Sequence, residues 1–189
     1  MFRPYHTNVV QYVLSYTYAL ARWIIWLVVG LVLVHIFIAT IFIVDGPSMD
    51  PNLATNDFML VNKIAYLTSN PNRGDIVVLK FPGDPDKRKF VKRVIGLPGE
   101  TVEVRKGKIY INSQLLLESY LDSDMNSGQD QKVFLGEDEY FTCGDNRPNS
   151  NDSRFFGPVP KNYLIGRTRF IFLPISRFGF KTNEDYNIN

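Results

Sequence analysis

The residues best suited to do chemistry in this chain are a serine, a lysine and a polar loop that lie far apart in sequence. Ser48 follows Gly46-Pro47 in the segment VDGPSMDP, residues 44–51, and this pattern predicts a turn that presents the hydroxyl. A serine hydroxyl is a weak nucleophile until a neighbouring base takes its proton. Ser48 is therefore either an ordinary loop residue or one half of a catalytic pair whose base lies elsewhere.

Lys92 is the candidate base. It lies in the segment KFVKRVIGL, residues 89–97, where strand alternation places Phe90, Lys92 and Val94 on one face. Burial disfavours an ammonium group, and a lysine, unlike an arginine, can respond by losing its proton. The alternative is a lysine that extends along an edge strand to water and stays charged. The sequence leaves both interpretations open.

The polar loop is GDNRPNSNDSRFFGP, residues 144–158, which carries two Asp, two Arg, three Asn and two Ser. Its composition predicts a hydrogen-bonded loop. Such a run is commonly a solvated charge cluster that contributes little to stability. The functional alternative is a group of side chains that holds a catalytic lysine in place.

Histidine and cysteine usage excludes several classes of enzyme. The only histidines are His6 and His35, which precede the polar part of the chain, and Cys143 is the only cysteine. A Ser-His-Asp triad, a Cys-His pair and a histidine zinc site are therefore excluded from the body, as is an internal disulfide. We expect no metal and no cofactor, so chelators should not alter activity.

An uncharged apolar stretch, Trp23 to Val44, precedes this body. At 1.5 Å per residue, its 22 residues are long enough to cross a hydrocarbon core of about 30 Å as a helix. The expected organisation is a cytoplasmic leader over 1–22, a transmembrane anchor over 23–44 and a catalytic domain over 45–189.

The distribution of charge predicts both the orientation of the chain in the membrane and the kind of partner it binds. Two of the 21 basic residues, Arg3 and Arg22, precede Asp45, whereas none of the 19 acidic residues does. The net charge of +2 therefore belongs to the N-terminal segment, which argues for a lipid bilayer and against nucleic acid as partner. We expect a single-pass plasma-membrane protein with a cytoplasmic N-terminus and an extracytoplasmic domain.

The body reads as a series of short strands with β-branched and aromatic residues, separated by Gly, Pro, Asn and Asp. This pattern predicts a mainly β fold, an antiparallel or mixed sheet closed as a barrel-like structure or a sandwich. Lys106-Gly107 predicts a hairpin turn, and residues 113–135 predict a small irregular excursion. The predicted strands are 58–66, 75–81, 89–97, 101–105, 108–112, 139–143 and 166–173.

Taken together, these segments resemble the bacterial type I signal peptidases, also called the leader peptidase family, which are Ser/Lys serine proteases. Five motifs of that family occur in the family's order between the apolar stretch and about Pro174. Five in order is a specific match, although each alone is moderate. The motifs are GPSMDP (46–51), NDFMLVNKIAY (56–66), RGDIVVLKFP (73–82), FVKRVIGLPGE (90–100) and GDNRPNSNDSRFFGPV (144–159).

The resemblance implies a serine endopeptidase that removes signal peptides from exported precursor proteins. Ser48 would attack the scissile carbonyl, and Lys92 would take the hydroxyl proton and later help to deliver a water molecule. Ser150 would orient the Lys92 amine by a hydrogen bond. Two ion pairs would hold these groups in place: Asp145 with Arg93, and Asp152 with Arg154.

The resemblance also implies how the substrate binds. Gly46 occupies a position where some members carry a serine that assists the oxyanion hole, so this segment offers only the Ser48 backbone N–H. The peptide would add as a strand beside the segment leading to Ser48, with small residues at positions −3 and −1 before the scissile bond. Plausible walls of its pockets are Val44, Met59, Val78 and Val91.

Three other interpretations are weighed against this one. A self-cleaving, repressor-like Ser/Lys protease would carry a DNA-binding helix-turn-helix in place of the apolar stretch. A sortase-like transpeptidase using Cys143 would need a histidine that the body does not have. A catalytically inactive, membrane-tethered β-domain would act as a binding module. Alanine at Ser48 or Lys92 would abolish cleavage only if the protein is an enzyme.

Overall fold

The computed structural model describes residues 9–86, 88–121 and 129–181 together with Tyr186. The chain divides into two units, Met1–Ile38 and Ala39–Asn189. Residues 1–8 of the predicted leader lie outside the described residues, as do residues 122–128 of the predicted excursion.

The first unit is a single apolar helix. Helix α1 spans Val9–Leu33 and continues as a π-helical turn over Val34–Ile38, and neither part has a buried residue. Its 30 residues would extend roughly 45 Å, which is more than the hydrocarbon core requires. By length and composition, this helix is able to cross a membrane.

The helix does not coincide with the predicted span of residues 23–44. The helix begins at Val9, and Ala39–Ile43 form a strand that pairs with the next strand along the chain. An apolar run alone does not distinguish a helix from a buried strand. Ile41 and Ile43 are β-branched, and their pairing with residues 58–62 selects the extended conformation.

The second unit is mainly β, as the sequence predicts. Within the described ranges it contains twelve strands and two further α-helical turns, α2 (Ala65–Thr68) and α3 (Ser153–Phe156). The strands are β1 (Ala39–Ile43), β2 (Phe58–Asn62), β3 (Ile76–Lys80), β4 (Lys89–Gly96), β5 (Thr101–Arg105), β6 (Lys108–Ile111), β7 (Gln114–Leu115), β8 (Gln131–Phe134), β9 (Glu139–Cys143), β10 (Val159–Pro160), β11 (Leu164–Leu173) and β12 (Gly179–Phe180).

Two antiparallel sheets organise these strands. The larger has the order β1-β2-β11-β3-β4-β9-β10, with β12 paired to β11, and the smaller has the order β7-β6-β5-β8. Because β1 ends the larger sheet, its outer edge has no strand partner among the described residues. Strand β4 pairs with β3 over residues 89–93, but its pairing with β9 begins only at Arg93. Residues 89–92 therefore also leave one edge of β4 unpaired.

The smaller sheet confirms one local prediction and corrects another. Lys106 and Gly107 have φ values of +50° and +75°, which suit the tight turn between β5 and β6. The predicted excursion over 113–135 is less irregular than expected, since β7 pairs with β6 and β8 pairs with β5. Such short strands carry too few alternating residues to stand out in the sequence.

The apolar core consists of three buried clusters, one of which lies beneath the candidate site. That cluster gathers side chains from β2, β3, β4 and β11 and from the segment after β1. Its buried members are Val44, Met49, Leu53, Met59, Val61, Ile76, Val78, Val91 and Ile171.

Candidate active site

Ser48 lies on a tight turn that the core holds in place. Gly46 has a φ of +97°, a conformation that favours glycine, and the Asp50 N–H donates to the Pro47 carbonyl at 3.1 Å. Met49 and Leu53, which follow Ser48 in the chain, are 0% and 1% exposed. Two buried anchors thus fix the chain while Ser48 itself stays half-buried at the surface.

The fold brings Lys92 to this serine across 44 positions of sequence. The Lys92 Nζ lies 2.8 Å from the Ser48 Oγ and 3.0 Å from the Val91 carbonyl oxygen. The Lys92 side chain is 3% exposed. The alternative of a lysine that extends to water is therefore wrong, because strand β4 is covered on both faces from Val91 to Gly96.

Burial lowers the pKa of Lys92 to about 8, and this effect outweighs the charges of Asp152 and Asp145, which act in the opposite direction. Neither carboxylate forms a hydrogen bond with the amine in the described part of the chain. With a pKa near 8, about one Lys92 in ten is neutral at pH 7, against about one in a few thousand for an ordinary lysine. The amine is thus available as a proton acceptor near neutral pH.

The predicted ion pair of Arg93 with Asp145 is present. The Arg93 Nε and Nη2 donate to the two carboxylate oxygens at 2.8 and 2.6 Å, and both side chains are buried. Burial alone would lower the pKa of Arg93, but the hydrogen bonds and charge of Asp145 raise it. Asn52 also donates to Asp145, at 2.9 Å, which ties this pair to the segment just after Ser48.

The second predicted pair, Asp152 with Arg154, is also present. Arg154 donates to the two oxygens of the Asp152 carboxylate at 2.8 and 2.7 Å, and the Gly144 N–H donates to it at 2.9 Å. Burial raises the pKa of Asp152, but the hydrogen bonds and charge of Arg154 outweigh burial and leave that pKa lowered. The polar loop is consequently a buried network and not a solvated cluster.

Ser150 does not form the predicted hydrogen bond with Lys92. Its Oγ is buried and has no hydrogen-bond partner of adequate geometry within the described ranges, although the hydroxyl is close enough to Asp152 to help lower the pKa of that carboxyl. The position is nevertheless next to the nucleophile, since a Cβ built on Gly144 would clash with both the Ser150 Oγ and the Ser48 carbonyl oxygen. Only a glycine allows these two serines to approach so closely.

A cavity of about 220 Å³ opens beside the Ser48 hydroxyl and the Lys92 amine. Residues 42–49 form one wall, residues 89–92 form the other, and Asn151 completes the lining. The first wall begins with the last two residues of β1, whose outer edge is unpaired in the described part of the chain, and the second is the stretch of β4 that β9 leaves unpaired. Val44 and Val91 line the cavity, whereas the other two predicted wall residues, Met59 and Val78, are not part of its lining and pack in the cluster behind it.

Several residues of this site carry no prediction from the sequence. The Asn146 N–H donates to the Ser48 carbonyl oxygen at 3.1 Å, and Asn151 lines the cavity. Both belong to the polar loop, so the motif that nominates this loop could also have nominated these two residues. Glu118, which forms a buried ion pair with Arg147, lies in a segment that carried no such signal.

Cys143 is unsuited to act as a nucleophile. It is 0% exposed, and burial raises the pKa of its thiol, so the reactive thiolate is disfavoured. A sortase-like mechanism therefore lacks a reactive cysteine as well as a histidine in the body.

The chain is similar in sequence to proteins of known family. A family profile described as "Signal peptidase, peptidase S26" matches residues 17–173. Signal peptidase I of Leptolyngbya laminosa is 42% identical over 77% of this chain and 74% of its own length. Signal peptidase I P of Bacillus subtilis subsp. natto is 38% identical over 82% of this chain and 90% of its own length.

The crystal structure of a signal peptidase I from Enterococcus faecalis V583 covers 52% of this chain and 97% of that chain, at 36% identity and a TM-score of 0.46. On the strength of the profile match and of relatives that share most of their length with it, the chain belongs to the signal peptidase family, peptidase S26.

Proposed function

We propose that this protein is a membrane-anchored serine endopeptidase that removes signal peptides from exported precursor proteins, with Ser48 as nucleophile and Lys92 as base. One observation carries the assignment of roles. A buried lysine amine, with its pKa lowered to about 8, lies 2.8 Å from the serine hydroxyl. Membership of the signal peptidase family supports the choice of substrate.

The reaction begins with a neutral Lys92. Its amine takes the Ser48 proton while the Oγ attacks the scissile carbonyl carbon, and the carbonyl oxygen becomes an oxyanion. The resulting ammonium returns the proton to the leaving amine, the peptide bond breaks, and an acyl-enzyme remains. Lys92, again neutral, then takes a proton from a water molecule, which attacks the ester carbonyl. As the ester bond breaks and the signal peptide leaves, the Lys92 ammonium returns the proton to the Ser48 Oγ.

The oxyanion would be stabilised by the backbone N–H of Ser48. Gly46 supplies no side-chain donor, and a Cβ at that position would meet nothing within 4 Å. The space that a serine hydroxyl occupies in some members of the family is therefore open here.

The substrate would bind as an extended strand between the two unpaired edges that form the cavity walls. In a strand, side chains at positions −1 and −3 share one face. Facing Val44 and Val91, they would fill a cavity of only about 220 Å³, which favours small residues.

The apolar helix would anchor the enzyme at the membrane where its substrates emerge. Arg22 lies on one side of the uncharged stretch, and Asp45 and Asp50 lie on the other. By the positive-inside rule, the N-terminus would then lie in the cytoplasm and the β domain on the outer side of the plasma membrane. Cleavage sites presented just outside the bilayer would then be close to Ser48.

The decisive experiment incubates the full-length protein in detergent with a precursor that carries a signal peptide. Wild type should cleave it, whereas Ser48→Ala and Lys92→Ala should show no cleavage. Ser176→Ala is the matched control, because Ser176 is exposed and lies outside the site. Normal cleavage by Ser48→Ala would refute the proposal. Binding of the precursor without cleavage by wild type would favour the tethered binding module.

A further inference from the structure

Val91 lines the cavity and Val78 packs behind it, and this apolar floor ends on two lysines. Along the paired strands β3 and β4, Val78 is opposite Val91, and the pair two residues further on is Lys80 opposite Lys89. Residues two apart in a strand share a face, so both lysines continue the face of the two valines. Both lysines are exposed, and Lys89 lines the same cavity as Val91.

Neither positive charge has a bound counter-ion within the described ranges, although the exposed Asp86 lies three residues before Lys89 in sequence. Neither Lys80 nor Lys89 forms an ion pair or a side-chain hydrogen bond there. Asp84, the next acidic residue along the chain, has its carboxylate bound by the Arg88 side chain at 2.7 Å and by the Arg88 backbone N–H at 3.0 Å. Like charges directly opposite each other destabilise a strand pair, so an acidic group placed between these two would be bound favourably.

The position of Lys89 relative to the nucleophile defines which part of a substrate it meets. It precedes Lys92 by three residues in β4, which corresponds to roughly 10 Å at about 3.3 Å per residue. If the −1 and −3 side chains face Val44 and Val91, the N-terminal part of the peptide runs from Ser48 towards Lys89. Alternation then places the side chain of position −5 on the same face, and that of position −4 on the opposite face.

We infer that Lys89, assisted by Lys80, is a specificity-determining residue that favours an acidic side chain at position −5 of the substrate. This inference rests on the proposed function. It concerns the peptide because Lys89 lines the cavity that holds the scissile bond. The lysine ammonium groups attract the carboxylate as it enters, and the apolar floor receives the smaller side chains beyond it.

The test measures kcat/KM of the full-length enzyme in detergent on four signal-peptide substrates, with Glu or Lys at position −5 or at position −4. Wild type should prefer Glu over Lys at −5 by about fivefold, the scale of an exposed ion pair, and should show no such preference at −4. Lys89→Ala should abolish the preference at −5, and Lys89→Glu should reverse it. Lys80→Glu should reduce it, and added salt should weaken it throughout.

Equal cleavage of the two −5 substrates by wild type, or a preference that survives Lys89→Glu, would overturn the inference. A parallel assay in vesicles of neutral lipid, with and without anionic lipid, tests the competing partner. A Lys89→Glu effect that appears only with anionic lipid would assign the lysines to lipid head groups and would also overturn it. If wild type cleaves none of the four substrates, the proposed function fails, and this inference fails with it.

Discussion

Strand β4 carries two buried cations side by side, Lys92 and Arg93, whose side chains lie on opposite faces and meet different partners. They are 3% and 2% exposed. The Lys92 amine contacts a hydroxyl and a backbone carbonyl, and burial lowers its pKa to about 8. The Arg93 guanidinium contacts the Asp145 carboxylate at two points, and its pKa is raised.

The difference shows that burial alone does not set the protonation state of a cation. Near-equal burial disfavours charge on both side chains, but only Arg93 has a carboxylate in direct hydrogen-bond contact to offset the loss of water. Lys92 has neutral partners, so it can release and accept a proton. The two faces of one strand thus provide a base on one side and a fixed structural ion pair on the other.

Substitution of Lys92 tests the face of β4 that carries the base, and it should have the largest effect on cleavage. Lys92→Met should reduce cleavage by at least about 10³-fold, because the base is lost. Lys92→Arg should be equally inactive, because a guanidinium does not give up its proton near neutral pH. The measurement is kcat/KM on a signal-peptide substrate, with Lys108→Met as the control at an exposed lysine of β6.

The free energy of unfolding of Lys92→Met tests the same comparison. A pKa lowered from 10.5 to about 8 corresponds to a cost on the order of 3 kcal/mol for keeping Lys92 charged at pH 7. Lys92→Met should therefore unfold at no lower denaturant concentration than wild type. A large loss of stability in Lys92→Met would contradict the description of Lys92 as a strained, desolvated cation.

Breaking the ion pair on the second face should chiefly affect folding. Arg93→Met or Asp145→Asn would leave one buried charge without its partner, at a cost of about 3–5 kcal/mol. The midpoint of chemical unfolding should fall accordingly. An unfolding midpoint close to that of wild type would show that Arg93 and Asp145 are not coupled as described.

The pH profile examines the protonation of Lys92 directly. Between pH 7 and pH 9 the neutral fraction should rise from about one in ten to about nine in ten, so kcat/KM should increase about tenfold. Because the folded-state pKa lies below the unfolded value, the unfolded chain binds more protons between pH 8 and 10.5. Wild type should therefore gain stability relative to Lys92→Met as the pH rises through that window.

The smallest effect is expected at Ser150. Its Oγ forms no hydrogen bond with any residue that the structure describes, so Ser150→Ala should leave the unfolding midpoint unchanged. We propose that the hydroxyl orients the Lys92 amine during the reaction. Loss of one such hydrogen bond should reduce kcat/KM by about tenfold. Unchanged activity in Ser150→Ala would remove Ser150 from the mechanism.

Local patterns made much of the fold predictable. The β-branched alternation of β3 to β6 and the Lys106-Gly107 turn depend on neighbouring residues, and their strands lie within one or two residues of the predicted bounds. The end of the apolar helix was not predictable in this way. Whether Ala39–Ile43 forms a strand or continues the helix is decided by its pairing with β2, which lies further along the chain.

The candidate site, too, was predictable where it depends on local motifs and not predictable where it depends on distant contacts. Motif order nominated Ser48, Lys92 and the two ion pairs, because each motif keeps its residue types in a fixed local spacing. Asn52 and Glu118 were not predicted from the sequence. Asn52 contacts Asp145 and Glu118 contacts Arg147, and only the fold brings these pairs together.

By itself, the sequence determined which groups were available: one serine on a turn, one lysine in an apolar strand and no histidine in the body. Only the tertiary structure decided that these two groups meet at 2.8 Å and that the lysine is buried with no carboxylate of the described residues bound to it. The reason is physical, since a pKa depends on the dielectric and the charges around a group. Those surroundings are assembled from strands that are distant along the chain.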